Sequence, residues 1–426
     1  MVAIHPFCAL RYNPDLVGEL GGVLAPPYDV ISPEEQEQLY QASPYNVVRL
    51  TLARSFPTDT GEENHYTRAQ QAFDVWRGHR ILELDPVPAI YLVKQTFDDS
   101  GTQRSRLGFI ALLGLDASAE RGVYRHEATM AAPKQDRARL LEALPANLEP
   151  IFCVFPDEGG TVQARLQDLV TRAAPTARAT LKEGSIQLWA ITDPRVIQDV
   201  AHPFISAAVL IADGHHRFEV AYAQRARYGA LMAYFVSMAD PSLVVRPIHR
   251  VVQPDGAAEG QGLRGVCRLE RATDLVSLIR WLKDDRGPAS ATAGAAQASE
   301  RAGCFGYYDG RALYQVTVDP DRLARWLMAP SVPLPLATLD VSLLHELILP
   351  AVIPDGRTVR CTYTVDASEA LRAVDRRAGQ SAWLLRTIPL PQIFALAARG
   401  LALPPKSTYF YPKVPSGLTI NPFTSV

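Results

Sequence analysis

One segment of this sequence combines a sharp backbone turn with side chains that can bind an anion or move a proton. Residues 207–212 form an apolar run of strand length, and residues 218–222 then show helical spacing of apolar side chains until Gly229. Between these two stretches lie Asp213, Gly214, His215, His216 and Arg217. The pattern predicts that a buried strand ends in a tight turn and that a helix begins at once, with Asp213 as its N-cap.

This turn would leave backbone N–H groups pointing outward at the positive end of a helix dipole. His215, His216 and Arg217 add donors of the kind that hold phosphate oxygens, and a histidine can also move a proton near neutral pH. We therefore predict a phosphate site formed by residues 213–217. In the alternative, Asp213 only caps the helix and the basic residues form a solvated first turn. Because basic residues oppose the dipole unless an anion is present, the phosphate site is favoured.

Metal binding is a competing interpretation of the histidines. Adjacent helical residues point roughly 100° apart, so His215 and His216 do not form the i, i+4 pair of zinc helices. His126 and Glu127 lack the second histidine of an H-E-x-x-H motif. The five cysteines lie far apart with no C-x-x-C pair, which indicates buried thiols. No protein metal site is predicted.

Further donors for a bound phosphate lie elsewhere in the chain. His249 and Arg250 follow a strand-like segment, and Arg137 is a weaker candidate. Residues 400–407 have nearly the spacing of a P-loop, but Pro405 replaces the second glycine, and two prolines remove N–H groups. The proline-stiffened tail that contains Lys406 either folds over a ligand or is a strap that packs its aromatic residues into the core.

A phosphoryl transfer also needs a carboxylate that accepts the proton of the attacking hydroxyl group or binds magnesium. Asp29, in a stiff Pro-Pro-Tyr-Asp turn, and Glu127, in a loop, are the two candidates. Either residue could instead be a helix cap or a surface charge. His216 is the candidate for a histidine that acts on the transferring group.

The composition argues against several classes of partner. The formal net charge is -2 and the pI is about 6.5, which gives no global field to hold nucleic acid or an anionic membrane. No apolar run approaches the roughly 20 residues needed to span a bilayer, and the first residues do not resemble a secretion signal. We expect a cytoplasmic protein that does not bind nucleic acid.

The remaining pattern alternates strands and helices. A capping box at Ser32 and Glu35 predicts a helix from Pro33. Further helices are predicted at residues 66–76, from about residue 133, and at residues 162–174. Strands are predicted at residues 46–52, 89–97, 106–115, 151–155 and 187–191, with a loop of about four residues, 98–101, in the hairpin. This alternation predicts a mixed α/β fold in which helices cover sheets.

The length of the chain is typical of two or three domains. We predict an N-terminal α/β domain over residues 1–255, which carries the phosphate site, and a C-terminal α/β domain over residues 256–426. Residues 284–303, rich in alanine, serine and glycine, are predicted as a mobile loop. The C-terminal part should also contain a hairpin around Asp309 and Gly310, a helix over residues 341–347 and a proline-rich tail, 404–417.

Six short blocks, spread over nearly the whole chain, are specific enough to compare with known families. They are residues 9–12, 25–31, 126–129, 211–217, 248–250 and 405–413. In this order they resemble the hallmark blocks of the domain of unknown function 1015 family, which has no settled activity. Membership would therefore imply a common fold but would not by itself imply a reaction.

The Asp-Gly-His-His-Arg block also resembles the phosphate-binding box of the ParB and sulfiredoxin superfamily, which includes the free-serine kinases. This resemblance implies a ParB-like nucleotide-binding core, with ATP or ADP and magnesium as ligands and a small polar substrate. It favours a nucleotide-dependent small-molecule phosphotransferase that acts on an alcohol. The alternative is a non-catalytic, nucleotide-gated binding or regulatory protein. A hydrolase is not favoured, because no nucleophile elbow or metal motif is present.

Overall fold

The computed structural model describes residues 2–254, 263–283, 302–353 and 359–423, in which the chain forms two compact units. The first unit comprises Met1–Arg125, Thr129–Val244 and Pro412–Val426, and the second comprises His126–Ala128 and Val245–Tyr411. The domain division at residues 255 and 256 stays a prediction. The predicted mobile loop, apart from residues 302 and 303, lies outside the described residues.

A mixed sheet forms the centre of the first unit. The strands of this part of the chain are β1 (Ile4–His5), β2 (Leu10–Tyr12), β3 (Leu82–Leu84), β4 (Ile90–Asp99), β5 (Thr102–Gly114), β6 (Val123–Arg125), β7 (Ala146–Asn147), β8 (Ile151–Phe155), β9 (Ala177–Leu181), β10 (Gly184–Ile191), β11 (Val209–Asp213) and β12 (Ala230–Ser237). The sheet order is β6-β11-β8-β12-β5-β4-β10-β9, and β1 pairs with β5. The pairs β6/β11 and β8/β12 are parallel, whereas the other pairs are antiparallel.

Some helices of this unit pack on the sheet, and others belong to a second hydrophobic cluster. They are α1 (Pro14–Val17), α2 (Pro33–Ala42), α3 (Val48–Thr51), α4 (His65–Gly78), α5 (Ala119–Gly122), α6 (Ala131–Ala143), α7 (Thr161–Arg172), α8 (Pro194–Ala201), α9 (His215–Ala223) and α10 (Arg225–Tyr228). Phe218 and Ala221 of α9 belong to the same buried cluster as Ile151 of β8 and Phe235 of β12. These apolar contacts fix the position of α9 immediately after the end of β11.

Most elements predicted in the first unit are confirmed, including the helix from Pro33, where Ser32 Oγ accepts the Glu35 N–H at 3.1 Å. The hairpin of β4 and β5 is confirmed, but its loop is shorter than predicted. Only Ser100 and Gly101 connect the two strands, with φ of 56° and 85°. Two positive φ angles are typical of the two-residue turns that match the twist of a hairpin.

The strand predicted over residues 46–52 is wrong, because this stretch contains helix α3. Asn46 Oδ1 accepts the Val48 N–H at 3.0 Å, and Asn46 Nδ2 donates to the carbonyl oxygens of Gly22 and Leu24 at 2.9 Å. A side chain that accepts from the N–H two residues ahead favours a turn over an extended backbone. The bonds to Gly22 and Leu24 hold that turn in the core.

The second unit contains an antiparallel six-stranded sheet. The strands of this part of the chain are β13 (Val244–Pro247), β14 (His249–Pro254), β15 (Cys267–Arg271), β16 (Cys304–Tyr308), β17 (Leu313–Val318), β18 (Val359–Thr364), β19 (Ser381–Leu384) and β20 (Thr408–Tyr411). The last strand, β21 (Asn421–Pro422), belongs to the first unit and pairs with β7. The sheet order is β15-β17-β16-β19-β14-β18, while β13 pairs with β20. The predicted hairpin at Asp309 and Gly310 is confirmed as β16 and β17.

Helices accompany this second sheet. They are α11 (Leu275–Lys283), α12 (Pro320–Met328), α13 (Leu334–Ala337), α14 (Asp340–Ser342), α15 (Leu349–Val352), α16 (Ala367–Asp375) and α17 (Leu390–Ala398). The helix predicted over residues 341–347 is confirmed as α14 and the π-helix Leu343–Ile348 that follows it. A mixed α/β fold is therefore confirmed. No helix in the described part of the chain has the length and apolar character needed to cross a membrane.

Candidate functional site

The predicted strand-turn-helix is confirmed: β11 ends at Asp213, and α9 begins at His215. Gly214 lies between them with φ of 93° and ψ of 28°. This left-handed conformation favours glycine, and a Cβ atom at this position would lie 2.8 Å from Ile151 Cγ2. Both the backbone conformation and the close approach of β8 therefore require glycine at the start of the helix.

Asp213 does not cap α9, so the predicted N-cap is wrong. Gly214 occupies the cap position, and no side chain caps the helix there. The Asp213 carboxylate instead accepts a bond of 2.8 Å from Arg217 Nη2 and a second bond from Lys413 Nζ. The three side chains are only 10 to 13% exposed. The backbone turn at Gly214 leads the chain into the helix, which frees the Asp213 carboxylate to form ion pairs.

Two positively charged side chains meet at the turn. One carboxylate, Asp213, is shared by two cations, Arg217 and Lys413. The first intrahelical bond of α9 runs from the Phe218 N–H to the Gly214 carbonyl at 3.0 Å, so the positive end of the helix dipole lies at the same place. An anion bound here would be attracted by both the side chains and the backbone.

Lys413 is a residue of this cluster that the predicted site did not include. The chain that carries it is held by buried polar groups of β4 and β5. Arg106 Nη2 donates to the Pro412 carbonyl at 2.6 Å, and Gln95 Nε2 donates to the Lys413 carbonyl at 3.1 Å. Arg106 is completely buried. Lys413 lies in the proline-rich tail, and no local pattern in the sequence indicated that it would reach Asp213.

The two histidines lie in different surroundings. His215 is buried, whereas His216 is partly exposed, and its Nε2 accepts the Met130 N–H at 3.0 Å. Met130 is the N-cap residue of α6, so the His216 ring satisfies a backbone donor at the start of that helix. An Nε2 atom that accepts a hydrogen bond leaves the ring proton of the neutral imidazole on Nδ1. The catalytic role predicted for His216 stays a prediction.

Tyr28, which precedes the candidate base Asp29, lies close to the same cluster. The Arg137 Cζ atom is 3.9 Å from the centre of the Tyr28 ring. Burial raises the pKa of the Tyr28 hydroxyl to about 12, while Arg137 and Arg217 act to lower this pKa and Asp29 and Glu149 act to raise it. The charges of Asp29 and Arg217 thus act on one hydroxyl group, although Asp29 itself is exposed.

A cavity of about 60 Å³ adjoins Arg217. Its polar lining consists of Arg137, Asn147, Glu149 and Arg217, and its other walls are apolar side chains of leucine, alanine and valine. Glu149 Oε1 is held by the Tyr28 N–H at 3.1 Å and by Ser416 Oγ at 2.7 Å. Two arginines and one glutamate therefore line a space large enough for a small polar group.

The candidate residues of the second unit form a different cluster. Glu127 Oε1 accepts the Lys406 N–H at 2.7 Å, so the carboxylate holds the backbone of the tail. Arg250 is completely buried, and its Nη2 lies 3.5 Å from the Pro405 carbonyl. His249 Nδ1 accepts the Leu385 N–H at 3.2 Å. Ligand binding by His249, Arg250 and Lys406 stays a prediction, as does catalysis by Glu127.

Burial lowers the pKa of His249 to about 4, and the charge of Arg250 lowers it further in the same direction, while Asp366 opposes the shift. The neutral ring is the form that accepts the Leu385 N–H. Within the described residues, no group of three or more histidine, cysteine, aspartate or glutamate side chains is arranged to hold a metal ion.

Comparisons with known proteins complete the description. The family model described as "Protein of unknown function (DUF1015)" matches residues 4–342, which confirms the resemblance found in the sequence blocks. No curated protein matches the chain.

Several solved structures are distantly similar. A conserved hypothetical protein from Pyrococcus furiosus has 12% identity and a TM-score of 0.34, over 73% of this chain and 95% of that chain. Free serine kinase in complex with AMP has 12% identity and a TM-score of 0.33, over 71% of this chain and 86% of that chain. SbnI with C-terminal truncation from Staphylococcus aureus has 10% identity and a TM-score of 0.34, over 73% and 87%.

Proposed function

This chain belongs to the DUF1015 family, whose description names no activity, and we propose that it binds a nucleotide at the start of α9 and transfers a phosphoryl group to a small hydroxyl compound. One observation carries the proposal: at a glycine turn that opens a helix, Arg217 and Lys413 both pair with the carboxylate of Asp213. A phosphate group there would be attracted by both cations and would accept from the amides of the first helical turn.

Arg217 has donor capacity for such a ligand. Its Nη1 donates to the Pro150 carbonyl at 2.6 Å and its Nη2 to Asp213, which uses two of its five N–H groups. Its buried Nε has no acceptor in the described part of the chain. A guanidinium group can hold two phosphate oxygens at once, which gives a geometric preference for phosphate over a simple halide.

In the proposed reaction, the hydroxyl oxygen of the acceptor forms a bond to the γ-phosphorus of ATP. Asp29 takes the hydroxyl proton, the bond from the γ-phosphorus to the bridging oxygen breaks, and ADP leaves. Arg217 and Lys413 stabilise the negative charge on the phosphoryl oxygens. We favour Asp29 over Glu127 as the base because the neighbouring Tyr28 N–H bonds Glu149, which lines the same cavity as Arg217. Glu127 instead holds the Lys406 N–H.

Nucleotide binding is tested first by titrating the purified protein with ATP, ADP and CTP, with and without magnesium, while its thermal stability is followed. A nucleotide at 100 times its dissociation constant should add about 2.7 kcal/mol to the free energy of unfolding. Arg217→Ala should weaken binding by about 10-fold to 100-fold, because it removes charge-assisted hydrogen bonds. Absence of any response in the wild-type protein would contradict the proposal.

A matched control is Arg11→Ala. Arg11 forms a comparable, partly buried ion pair with Asp85 in the same unit, with Nη2 and Oδ1 2.6 Å apart. This substitution should lower stability but leave nucleotide affinity unchanged. An equal loss of affinity in both variants would show that Arg217 acts through stability rather than by contacting the ligand.

Turnover is tested by incubating the protein with ATP, magnesium and small hydroxyl compounds, free serine among them, and following the products by phosphorus NMR. Asp29→Ala should preserve nucleotide affinity and reduce turnover by about 100-fold or more. Asp74→Ala, which removes an exposed carboxylate of α4, is the control and should leave the rate unchanged. Nucleotide binding with no turnover for any compound would contradict the phosphotransferase and favour the nucleotide-gated alternative.

A further inference from the structure

Within the part of the chain that the structure describes, Arg250 is a buried cation that forms no ion pair with a carboxylate. It lies in β14, between β18 and β19, and is completely buried. Its Nε donates to His345 Nε2 at 3.3 Å, its Nη1 donates to the Ile248 carbonyl, and its Nη2 lies 3.5 Å from the Pro405 carbonyl. Within the described residues, these neutral acceptors are the bonded partners of the guanidinium group.

Burying a guanidinium group without an opposite charge is unfavourable, because neutral acceptors replace only part of its lost hydration. Burial lowers the pKa of Arg250 to about 10, and Tyr363, Cys361 and Glu127 act in the opposite direction. The carboxylate of Glu127 is bonded to the Lys406 N–H instead. An external anion would supply the missing counter-charge.

The turn formed by residues 404–407 covers one side of this guanidinium group. Pro405 and Lys406 are exposed, while the Pro405 carbonyl points to Arg250 at the outer limit of hydrogen-bond distance. Lys406 has φ of 59°, a left-handed conformation that is uncommon for a residue other than glycine. Ser407 Oγ closes the turn by donating to the Pro404 carbonyl at 2.5 Å. The cover is thus a single, conformationally unusual turn.

Residues 126 and 127 anchor both ends of this turn. The Leu403 N–H donates to the His126 carbonyl at 2.7 Å, and His126 Nε2 lies 2.9 Å from Thr408 Oγ1. Between these two anchors, Glu127 Oε1 accepts the Lys406 N–H at 2.7 Å. Displacement of the turn would therefore break one bond to Glu127 and one weak bond to Arg250, while the two outer anchors stay in place.

We propose that Arg250 is the centre of an oxyanion site within the second unit, which a phosphate group occupies when the turn of residues 404–407 moves aside. A phosphate oxygen would replace the Pro405 carbonyl as acceptor of the Arg250 N–H, and the Lys406 ammonium group would supply a second positive charge. The site uses residues of the second unit alone and goes beyond the proposed nucleotide site at α9.

Hydrogen–deuterium exchange of the full chain tests this proposal, with sodium phosphate compared against sodium chloride at equal ionic strength. Saturating phosphate should change the exchange rates of backbone amides in residues 403–408 by about threefold or more, because the Lys406 N–H loses its acceptor. ATP serves as a second arm. A change in exchange rates with ATP but not with phosphate means that the phosphate group belongs to a nucleotide. A change with both ligands means that free phosphate suffices. Unchanged exchange in both arms overturns the proposal.

Variants assign the response to the proposed residues. Arg250→Gln should weaken phosphate affinity at this site by about 10-fold or more, and Lys406→Ala by about threefold. Glu127→Ala should strengthen phosphate affinity, because the turn loses an anchor that holds it closed. Arg372→Gln, which removes an exposed cation of the same unit, is the control and should have no effect.

If Arg250→Gln does not fold, the opposite effects of Lys406→Ala and Glu127→Ala decide the question, and equal affinities in these two variants overturn the proposal. The result is distinguishable from a failure of the proposed function. Arg217→Ala should weaken nucleotide binding at α9 but keep the phosphate response of residues 403–408.

Discussion

Replacing Gly214 with alanine is the sharpest test of the geometry at the start of α9. The new Cβ atom would lie 2.8 Å from Ile151 Cγ2 and 3.1 Å from Arg217 Nη2, and the residue would have to keep φ of 93°. The left-handed backbone costs about 1–2 kcal/mol for a residue with a Cβ atom, and overpacking of a core contact costs about 1–3 kcal/mol. Gly214→Ala should therefore destabilise the first unit by about 2–5 kcal/mol.

Gly229→Ala is the matched control for this prediction. Gly229 follows α10 with φ of 67°, but a Cβ atom there would meet no atom within 4 Å. Its substitution should show the backbone cost alone, about 1–2 kcal/mol. The free energies of unfolding are measured by urea titration, and amide exchange of peptides from β11 and α9 assigns the transition to the first unit.

The difference between the two variants is the informative quantity. A larger loss for Gly214→Ala, together with weaker nucleotide binding, is expected because the turn must move away from Ile151 and carries Arg217 with it. Equal losses in the two variants would refute the reasoning, since they would mean that β8 does not approach the turn closely enough to require glycine.

Two further predictions concern charged groups. Asp213→Asn should destabilise the first unit by about 3–5 kcal/mol, because Arg217 and Lys413 then lack their shared counter-ion. Sulfate should restore more stability to this variant than to the wild type, as measured by thermal unfolding at fixed ionic strength. Equal gains in stability for the two proteins would contradict an anion site. His249 has a folded-state pKa of about 4, below its usual 6.5, so the unfolded state binds more protons in this window. The free energy of unfolding of the second unit should therefore fall as the pH falls from 6.5 to 4, with about 3 kcal/mol of the loss due to His249. This pH dependence should be weaker in His249→Gln. Urea titrations that show no pH dependence across this range would contradict the prediction.

The parts of the structure that the sequence predicted depend on neighbours within a few residues. The change from an apolar run to helical spacing marks β11 and α9, and the glycine between them marks the turn. The capping residue Ser32 and the hairpin around Asp309 are equally local. Residues close in sequence meet in any compact arrangement of the chain, so their pattern carries the information needed to recognise the element.

The sequence predictions were wrong where a local pattern competes with hydrogen bonds to residues that are distant in sequence. Residues 46–52 have the composition of a strand, yet Asn46 bonds Gly22 and Leu24 and starts a helix. Asp213 has the position of an N-cap, yet its carboxylate turns to Lys413, which lies 200 residues away in sequence. In both places, a polar side chain bonds a partner that is distant in sequence and that the neighbouring residues do not indicate.

By itself, the sequence determined that a mixed α/β chain presents a glycine turn and a basic first helical turn at residues 213–217, because periodicity and backbone preference are local properties. Only the tertiary structure decided which charges balance one another. Lys413 joins Asp213 and Arg217, Glu127 holds Lys406, and Arg250 is left without a carboxylate within the described residues. Charge pairing acts through space between buried groups, so it is set by the packing of segments hundreds of residues apart.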